Sequence, residues 1–381
     1  MFGNLDTTTL QQLWWMIDSL VGSLFLFLLF VQGGQTLLWQ LGKSHVEKSL
    51  IINSLGRKWE MTFTTLVLFG GALFAAFPKF YATSFGGAYW VWMLILFTFI
   101  VQAVSYEYRK KPNNFLGEKV YELFLFINGS VGVLLIGAAV GTFFTGSNFV
   151  LNEYNLVTWT NPLRGLEAAF SLFNLSLGLF LVFNARVLGA MYLLNNIDCT
   201  GYKDFEARTR RAVLVNLLWA LPFLLYFLIS LVVMDGFGFD PKTGVVSMVS
   251  GKYLGNLLSM PLVLIFLLLG LVLVIWGVVT TSLRGKNNGI WFGGLGTVLV
   301  GLAVFFTAGF NNTAFYPSKA ALQSSLTIYN ASSSHYTLTA MSYVALMIPV
   351  VLAYVVYVWY LMDAKKITAA EVTGKQADEM Y

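Results

Sequence analysis

The sequence predicts an all-α, polytopic membrane protein with nine transmembrane helices. Of its 381 residues, 57% are hydrophobic and only 11% are charged, whereas soluble domains carry about 25% charged residues. The mean hydropathy is +0.71. Apolar runs near the roughly 20 residues that cross a hydrocarbon core recur along the whole chain. Because lipid offers no hydrogen-bond partners and the runs do not alternate, helices are favoured over barrel strands.

Nine runs are apolar and long enough to be transmembrane helices. They cover residues 13–31, 61–80, 89–104, 124–144, 166–194, 212–234, 257–279, 291–310 and 338–362. We expect a four-helix bundle in residues 1–150, a second one in 151–315, and an outer loop, a ninth helix and a charged tail in 316–381.

The distribution of basic residues predicts the orientation. Lys and Arg number 17 in one set of alternate segments and 5 in the other, with Arg186 inside the fifth run. By the positive-inside rule, the N-terminus is outside and the C-terminus is cytoplasmic. The net charge of +5 therefore reflects topology rather than a nucleic-acid partner. The first residues lack the basic stretch of a secretory signal, so we expect the first run to stay in the membrane of a bacterial cell.

Five carboxylates lie near the predicted membrane region: Asp18, Glu60, Glu107, Glu122 and Glu167. Ionisable groups at this depth are costly, so each is a candidate functional group. Glu60 could relay protons, or it could be a first-turn carboxylate that favours the helix dipole; position alone favours the second. Glu107 ends a helix, where the dipole is unfavourable, so an ion pair with Arg109 or Lys110 is expected.

Four further features have simpler interpretations. Glu122 is expected to be an ordinary interfacial charge beside Lys119, and Arg186 to extend toward the cytoplasmic face. Asp18 could be buried against a neighbouring helix or a partner chain. Gly70 and Gly71 open the segment "GGALFAA", which predicts a close helix-packing face.

The scarcity of histidine and cysteine limits the cofactors that this chain can hold. Its two histidines, His45 and His335, fall in predicted loops, whereas haem in membrane helices is generally held by His or Met within the spans. The single cysteine, Cys199, excludes an internal disulfide and a cysteine-ligated cluster. We therefore expect no haem and no metal to be ligated by this chain.

Two stretches resemble a known family. "LIINSLGRKWE" and "GGALFAAFPKFYA" are similar to the second-helix region of subunit II of cytochrome bd-type quinol oxidases, and "FYPSKAALQSSLTIYNASSSHYTLTAMSYV" to its last loop and helix. The Trp pair at 14–15, the "YEYR" motif and a tail ending at Tyr381 add weaker likeness. The matching motif residues are Trp59, Gly70, Gly71, Pro78, Pro317, Ser318, Ser325 and Thr327.

The resemblance implies a two-subunit respiratory oxidase. The partner, subunit I, would hold two b-type haems and one d-type haem, oxidise quinol and reduce oxygen to water. Subunit II would ligate no haem and would support this partner. In some members it also lines a proton route from the cytoplasm, and a bound quinone or small single-helix accessory subunits could accompany it.

The same resemblance implies that Glu60 and Glu107 take part in proton uptake, because both match acidic positions of the family. The chain also departs from the family. Where familiar members carry an acidic stretch late in helix one, this chain has Gln32 and Gln35, and Gln102 stands where some members have an Arg. Gln32, Gln35 and Asp18 remain candidates for the proton route.

Two other functions compete with this interpretation. A secondary transporter would show broken helices and charges near the midplane, whereas these runs are mostly uninterrupted, with carboxylates at their ends. A purely structural subunit would differ from the oxidase interpretation only in whether Glu60 and Glu107 matter to turnover.

Overall fold

A computed structural model describes residues 2–111 and 113–374 of the chain. Within these ranges nine helices are long and apolar enough to span a membrane, which confirms the predicted fold class. They are span one Thr7–Thr36, span two His45–Ala76, span three Tyr89–Tyr108, span four Glu118–Thr145, span five Leu172–Asn196, span six Lys203–Val233, span seven Pro261–Leu283, span eight Gly289–Gly309 and span nine His335–Asp363. Tyr381 lies outside the described residues.

Span two begins earlier than predicted. A capping box between Ser44 and Glu47 starts its helix at His45, because the two side chains satisfy backbone N–H groups that the first turn leaves free. The chain turns at 57–58 and continues as Trp59–Ala76, ending just before Pro78. His45 and His335 therefore begin spans two and nine instead of lying in loops.

Spans one and five pack closely through glycines. A Cβ at Gly33 would lie 1.9 Å from the carbonyl oxygen of Ala185, and a Cβ at Gly189 would lie 2.3 Å from the backbone nitrogen of Gly34. By contrast, nothing lies within 4 Å of a Cβ at Gly71. Of the predicted packing face, Gly70 is buried and a Cβ there would lie 3.4 Å from the Phe85 ring, whereas Gly71 packs against no described residue.

Loops close the end of the bundle at which spans two and eight have their C-terminal ends. Two antiparallel hairpins, which the all-α prediction did not include, pair β1 (Phe149–Leu151) with β2 (Val157–Trp159) and β3 (Gly236–Phe239) with β4 (Val246–Val249). The family-motif segment 317–332 covers this end. Its buried hydroxyls bind backbone: Ser325 Oγ accepts from the Ser318 N–H at 3.0 Å, and Thr327 Oγ1 accepts from the Asn330 N–H at 3.1 Å.

The opposite end, which we call the basic end, contains segments 37–58, 109–111, 113–117, 197–211 and 284–288. Span nine is attached mainly at its two termini, because none of its most apolar stretch is buried. At the basic end the carboxylate of Asp363 lies 2.9 Å from Lys58 Nζ and accepts from Asn196 at 3.0 Å. At the other end the Trp14 indole donates to the carbonyl of Leu338.

Candidate functional site

A buried charge cluster lies at the basic end. Glu122 Oε1 accepts a hydrogen bond from Arg109 at 2.8 Å, and its Oε2 accepts from Lys48 at 2.7 Å and from the Trp39 indole at 2.9 Å. Arg109 also binds Glu118 at 3.0 Å. The Glu122 side chain is 2% exposed and Arg109 is fully buried. The prediction of an ordinary interfacial charge is therefore wrong, because Glu122 is buried against Lys48 of span two and against Trp39 and Arg109, which follow spans one and three.

A line of neutral polar side chains leads from this cluster into the membrane region. On span three, Thr98, Gln102 and Tyr106 recur every four residues, so they lie on one face of the helix. All three are buried, together with their partners Gln32 and Gln35 of span one. Asn128 of span four completes the set. We call these six residues the polar ladder.

The rungs of the ladder are direct contacts between spans. Gln35 donates to the Tyr106 hydroxyl at 2.8 Å, and Gln32 donates to Gln102 Oε1 at 3.5 Å. Deeper still, Asn128 donates to Thr98 Oγ1 at 3.4 Å. With a rise of about 1.5 Å per residue, Thr98 to Tyr106 covers about 12 Å along the span.

Each rung contains a buried polar atom that lacks a protein partner. Gln32 Oε1, Gln35 Oε1, Gln102 Nε2 and Asn128 Oδ1 have none among the described residues. Buried polar atoms are otherwise almost always hydrogen-bonded, and internal water is the usual partner where protein supplies none. The ladder therefore provides anchoring points for a chain of water molecules.

Local backbone structure places Asn128 in this set. Residues Asn128–Gly132 form a π-helical turn within span four, a feature that often occurs at functional sites. The next residue, Gly129, lies so close to span one that a Cβ there would be 2.1 Å from the Gln32 carbonyl oxygen. Sequence reasoning missed Thr98, Tyr106 and Asn128. The signal for Thr98 and Tyr106 was their four-residue spacing from Gln102 in an apolar helix; Asn128 has no such signal.

Glu60 and Glu107 flank the surface end of the ladder. Glu60 is exposed in the first turn of Trp59–Ala76, and Glu107 is 60% exposed. The rings of Trp59 and Tyr106 stack with their centroids 5.9 Å apart. Glu60 directly follows Trp59 in the sequence, and Glu107 directly follows Tyr106. Glu107 pairs with Lys111 at 3.5 Å, whereas Arg109 binds Glu118 and Glu122. Of the two expected partners of Glu107, Arg109 is therefore wrong and Lys110 stays a prediction.

Two other candidates lie away from the ladder. Asp18 of span one is 1% exposed, and neither carboxylate oxygen has a partner among the described residues. It shares a helix face with Trp14, toward span nine. Glu167 lies in a short turn before span five and accepts from the backbone N–H of Gly165 at 2.8 Å. These positions do not bring Asp18 or Glu167 to Gln32 or Gln35.

The two histidines lie at opposite ends of the bundle. The side chain of His45 is 68% exposed at the basic end, 3.6 Å from Glu118. His335 is at the other end, where its Nε2 lies 2.9 Å from the carbonyl oxygen of Leu5. A haem held by two histidines needs both on one cavity, and this pair does not fit that arrangement.

Comparison with known proteins identifies the family. The family model described as Cytochrome bd terminal oxidase subunit II matches residues 10–362. The chain belongs to this family. Cytochrome bd-I ubiquinol oxidase subunit 2 of Escherichia coli (strain K12) is 28% identical over 373 residues, covering 94% of this chain and 95% of the relative. The probable cytochrome oxidase subunit 2 of Haemophilus influenzae is also 28% identical, covering 93% and 94%.

The fold agrees with this assignment. A chain of the bd oxidase from Geobacillus thermodenitrificans superposes with a TM-score of 0.64 at 16% identity, covering 94% of this chain and 100% of the other. As a bd oxidase subunit II, the protein is one subunit of an oxidoreductase complex and a multi-pass protein of the bacterial inner membrane. The haem of such a complex implies a partner subunit, and the transporter interpretation is set aside.

Proposed function

We propose that this chain supports the haem-bearing subunit of a quinol:oxygen oxidoreductase and that its polar ladder conducts protons from the basic end into the membrane. The partner would carry two b-type haems and one d-type haem, take electrons from quinol and reduce oxygen to water. That chemistry consumes protons, which must reach the buried haems across an apolar barrier. Single-helix accessory subunits and a bound quinone belong to the same proposal.

The observation that carries the proposal is the run of unsatisfied polar atoms along the ladder. Each of the Gln32, Gln102 and Asn128 side chains has one polar atom bonded within the chain and one without a described partner. Water that satisfies these atoms would form a continuous hydrogen-bonded file between spans one, three and four. Neutral amides suit this role, because a buried carboxylate without a cation would be much more costly.

The carboxylates of Glu60 and Glu107 would act at the mouth of this route. Both are exposed and flank the Trp59–Tyr106 stack, so they can collect protons from solution beside the first rung. The alternative is that they are helix-end charges on a structural subunit. In that case the ladder would hold only static water.

The test replaces a central rung. Gln102→Leu removes both amide atoms from the ladder while keeping a side chain of similar length. Asn184→Leu is the matched control, because Asn184 is also a buried amide that bonds a Thr across two spans, 3.2 Å from Thr297 Oγ1. The purified complex is assayed for quinol-driven oxygen consumption in H2O and in D2O, with the haem spectrum as the measure of integrity.

We expect Gln102→Leu to lower turnover at least ten-fold and to raise the solvent isotope effect, with normal haem content. Asn184→Leu should leave both close to wild type. Glu60→Gln and Glu107→Gln should each lower turnover by a smaller factor, since either can serve the mouth. Normal turnover and an unchanged isotope effect in Gln102→Leu would show that the ladder conducts no protons and that the subunit is structural.

A further inference from the structure

Arg186 of span five carries a charge that the described chain does not balance. Its Nε donates to Asn216 at 2.6 Å, its Nη1 to the Thr36 hydroxyl at 2.9 Å, and its Nη2 to Gln40 at 2.8 Å. All three partners are neutral oxygens, and no carboxylate pairs with Arg186 among the residues that the structure describes. The guanidinium is bound between spans one and six and reaches the exposed Gln40 beyond the end of span one; that it extends to the cytoplasmic face stays a prediction.

The carboxylate of Glu47, at the same end of the bundle, is already engaged. Glu47 binds Arg208 at 2.7 Å through one oxygen, and its other oxygen accepts from the backbone N–H of Lys43 at 2.7 Å. Arg208 also donates to the Leu41 carbonyl at 3.1 Å. Glu47 and Arg208 therefore balance each other and leave Arg186 without a counter-charge. Lys43, whose ammonium donates to the Trp39 carbonyl at 3.2 Å, adds a further positive charge at this end. We call Gln40, Lys43, Arg186 and Arg208 the basic seam.

The basic seam opens to the outside of the bundle beside an apolar strip. Gln40 and Lys43 are exposed, and Arg186 is half-buried. One turn away from Arg186, the Phe183 ring stacks on Trp219 at 6.3 Å and on Phe223 at 5.9 Å. Trp219 is 59% exposed. A cationic pocket near the end of a span thus continues into an aromatic strip on the membrane-facing surface.

We propose that this seam binds one anionic phospholipid. The phosphate would accept from the second Nη2 N–H of Arg186 and from the Lys43 ammonium, and an acyl chain would lie along Phe183 and Trp219. Basic pockets between helices at the cytoplasmic face recognise such headgroups, and a guanidinium binds phosphate with paired donors. The lipid would supply the negative charge that the chain itself does not provide.

The experiment measures the lipid that stays with the complex. Wild-type and variant complexes are purified by the same mild detergent wash, and bound phosphatidylglycerol per complex is quantified by mass spectrometry. Arg186→Gln removes the charge but retains hydrogen bonding. Arg211→Gln is the matched control, because Arg211 is an exposed arginine of span six outside the seam. Arg186→Lys keeps the charge if Arg186→Gln fails to assemble.

We expect bound phosphatidylglycerol to fall about five-fold in Arg186→Gln, as for one basic residue at a membrane surface. It should be unchanged in Arg211→Gln and intermediate in Arg186→Lys. Dioleoylphosphatidylglycerol should raise the thermal stability of delipidated wild type more than that of Arg186→Gln, whereas dioleoylphosphatidylcholine and sodium phosphate should not discriminate.

Three results would overturn the inference. The first is equal phosphatidylglycerol in wild type and Arg186→Gln. The second is loss of the partner subunit from Arg186→Gln while lipid is retained, which would assign the missing negative charge to the partner. Equal stabilisation by sodium phosphate would show a simple anion site rather than a lipid site. None of these readouts depends on proton uptake, so they are independent of the polar ladder.

Discussion

Replacing Glu122 by Gln should be among the most destabilising charge changes in the chain. The Glu122 carboxylate acts only as an acceptor in these bonds: one oxygen accepts from Arg109, and the other accepts from Lys48 and Trp39. An amide must place its NH2 group against one of these donor sets, whichever way it is turned. The change therefore removes a charge and creates a donor–donor clash in a site that is almost fully buried.

The magnitude follows from the burial of the partners. Removing one member of a buried ion pair typically costs about 3–5 kcal/mol, because the other charge is left uncompensated. Here Arg109 keeps Glu118 at 3.0 Å, and Lys48 is 26% exposed and can turn toward water. Both effects reduce the cost, so we expect the lower end, about 3 kcal/mol. That corresponds to roughly a 150-fold change in the unfolding equilibrium constant.

The assay is equilibrium unfolding of the subunit in mixed SDS–detergent micelles, followed by tryptophan fluorescence. Glu107→Gln serves as the control, since its pair with Lys111 spans 3.5 Å and both side chains are more than half exposed. Exposed pairs contribute about 0–1 kcal/mol, so the control should change little. A loss for Glu122→Gln within about 0.5 kcal/mol of the control would refute the reasoning that burial decides the cost.

Two further predictions use the close helix crossing and the single thiol. Gly33→Ala should lower the stability of the subunit by at least about 1–3 kcal/mol, because its Cβ would overlap the Ala185 carbonyl. Gly71→Ala places its methyl group in open space and should leave the stability of the subunit unchanged. Similar losses of stability for both variants in the same unfolding assay would contradict the close contact between spans one and five at Gly33. Burial, together with Glu206, raises the pKa of the Cys199 thiol from 9.0 to about 11. Below that pH the thiol stays protonated, so maleimide should label it about 100-fold more slowly than a peptide thiol, with the rate rising ten-fold per pH unit. A rate equal to that of the peptide thiol would contradict this prediction.

The nine-helix fold could be predicted from sequence because length and hydropathy decide whether a segment spans a membrane. The direction in which a polar residue faces could not. Glu107 and Glu122 both lie near span ends and look alike in the sequence, yet one is 60% exposed and the other is 2% exposed. Their facing depends on how spans one, three and four pack. That packing is set by contacts such as Gly129 against Gln32, which no single-sequence pattern shows.

Because the sequence does not show which way a polar side chain faces, only some of the site residues could be predicted. Gln32 and Gln35 were chosen because they replace acidic residues of the family, and the structure places both in the ladder. Asp18 was chosen as a membrane carboxylate, but helix geometry directs it to the side of Trp14, away from the ladder. The orientation of the chain and its division into two bundles stay predictions.

The net charge of the cluster affects the electrostatic energy of a proton at the first rung of the proposed route. Arg109 and Lys48 are balanced by Glu118 and Glu122, so the cluster at the mouth is neutral as a unit. A neutral mouth does not repel an excess proton, whereas loss of the Glu122 charge would leave a buried net positive charge beside the first rung. In a ladder without carboxylates, no internal group offsets that repulsion. Glu122→Gln should therefore slow proton uptake as well as destabilise the fold, and a stabilised variant that regains stability without regaining turnover would separate the two effects.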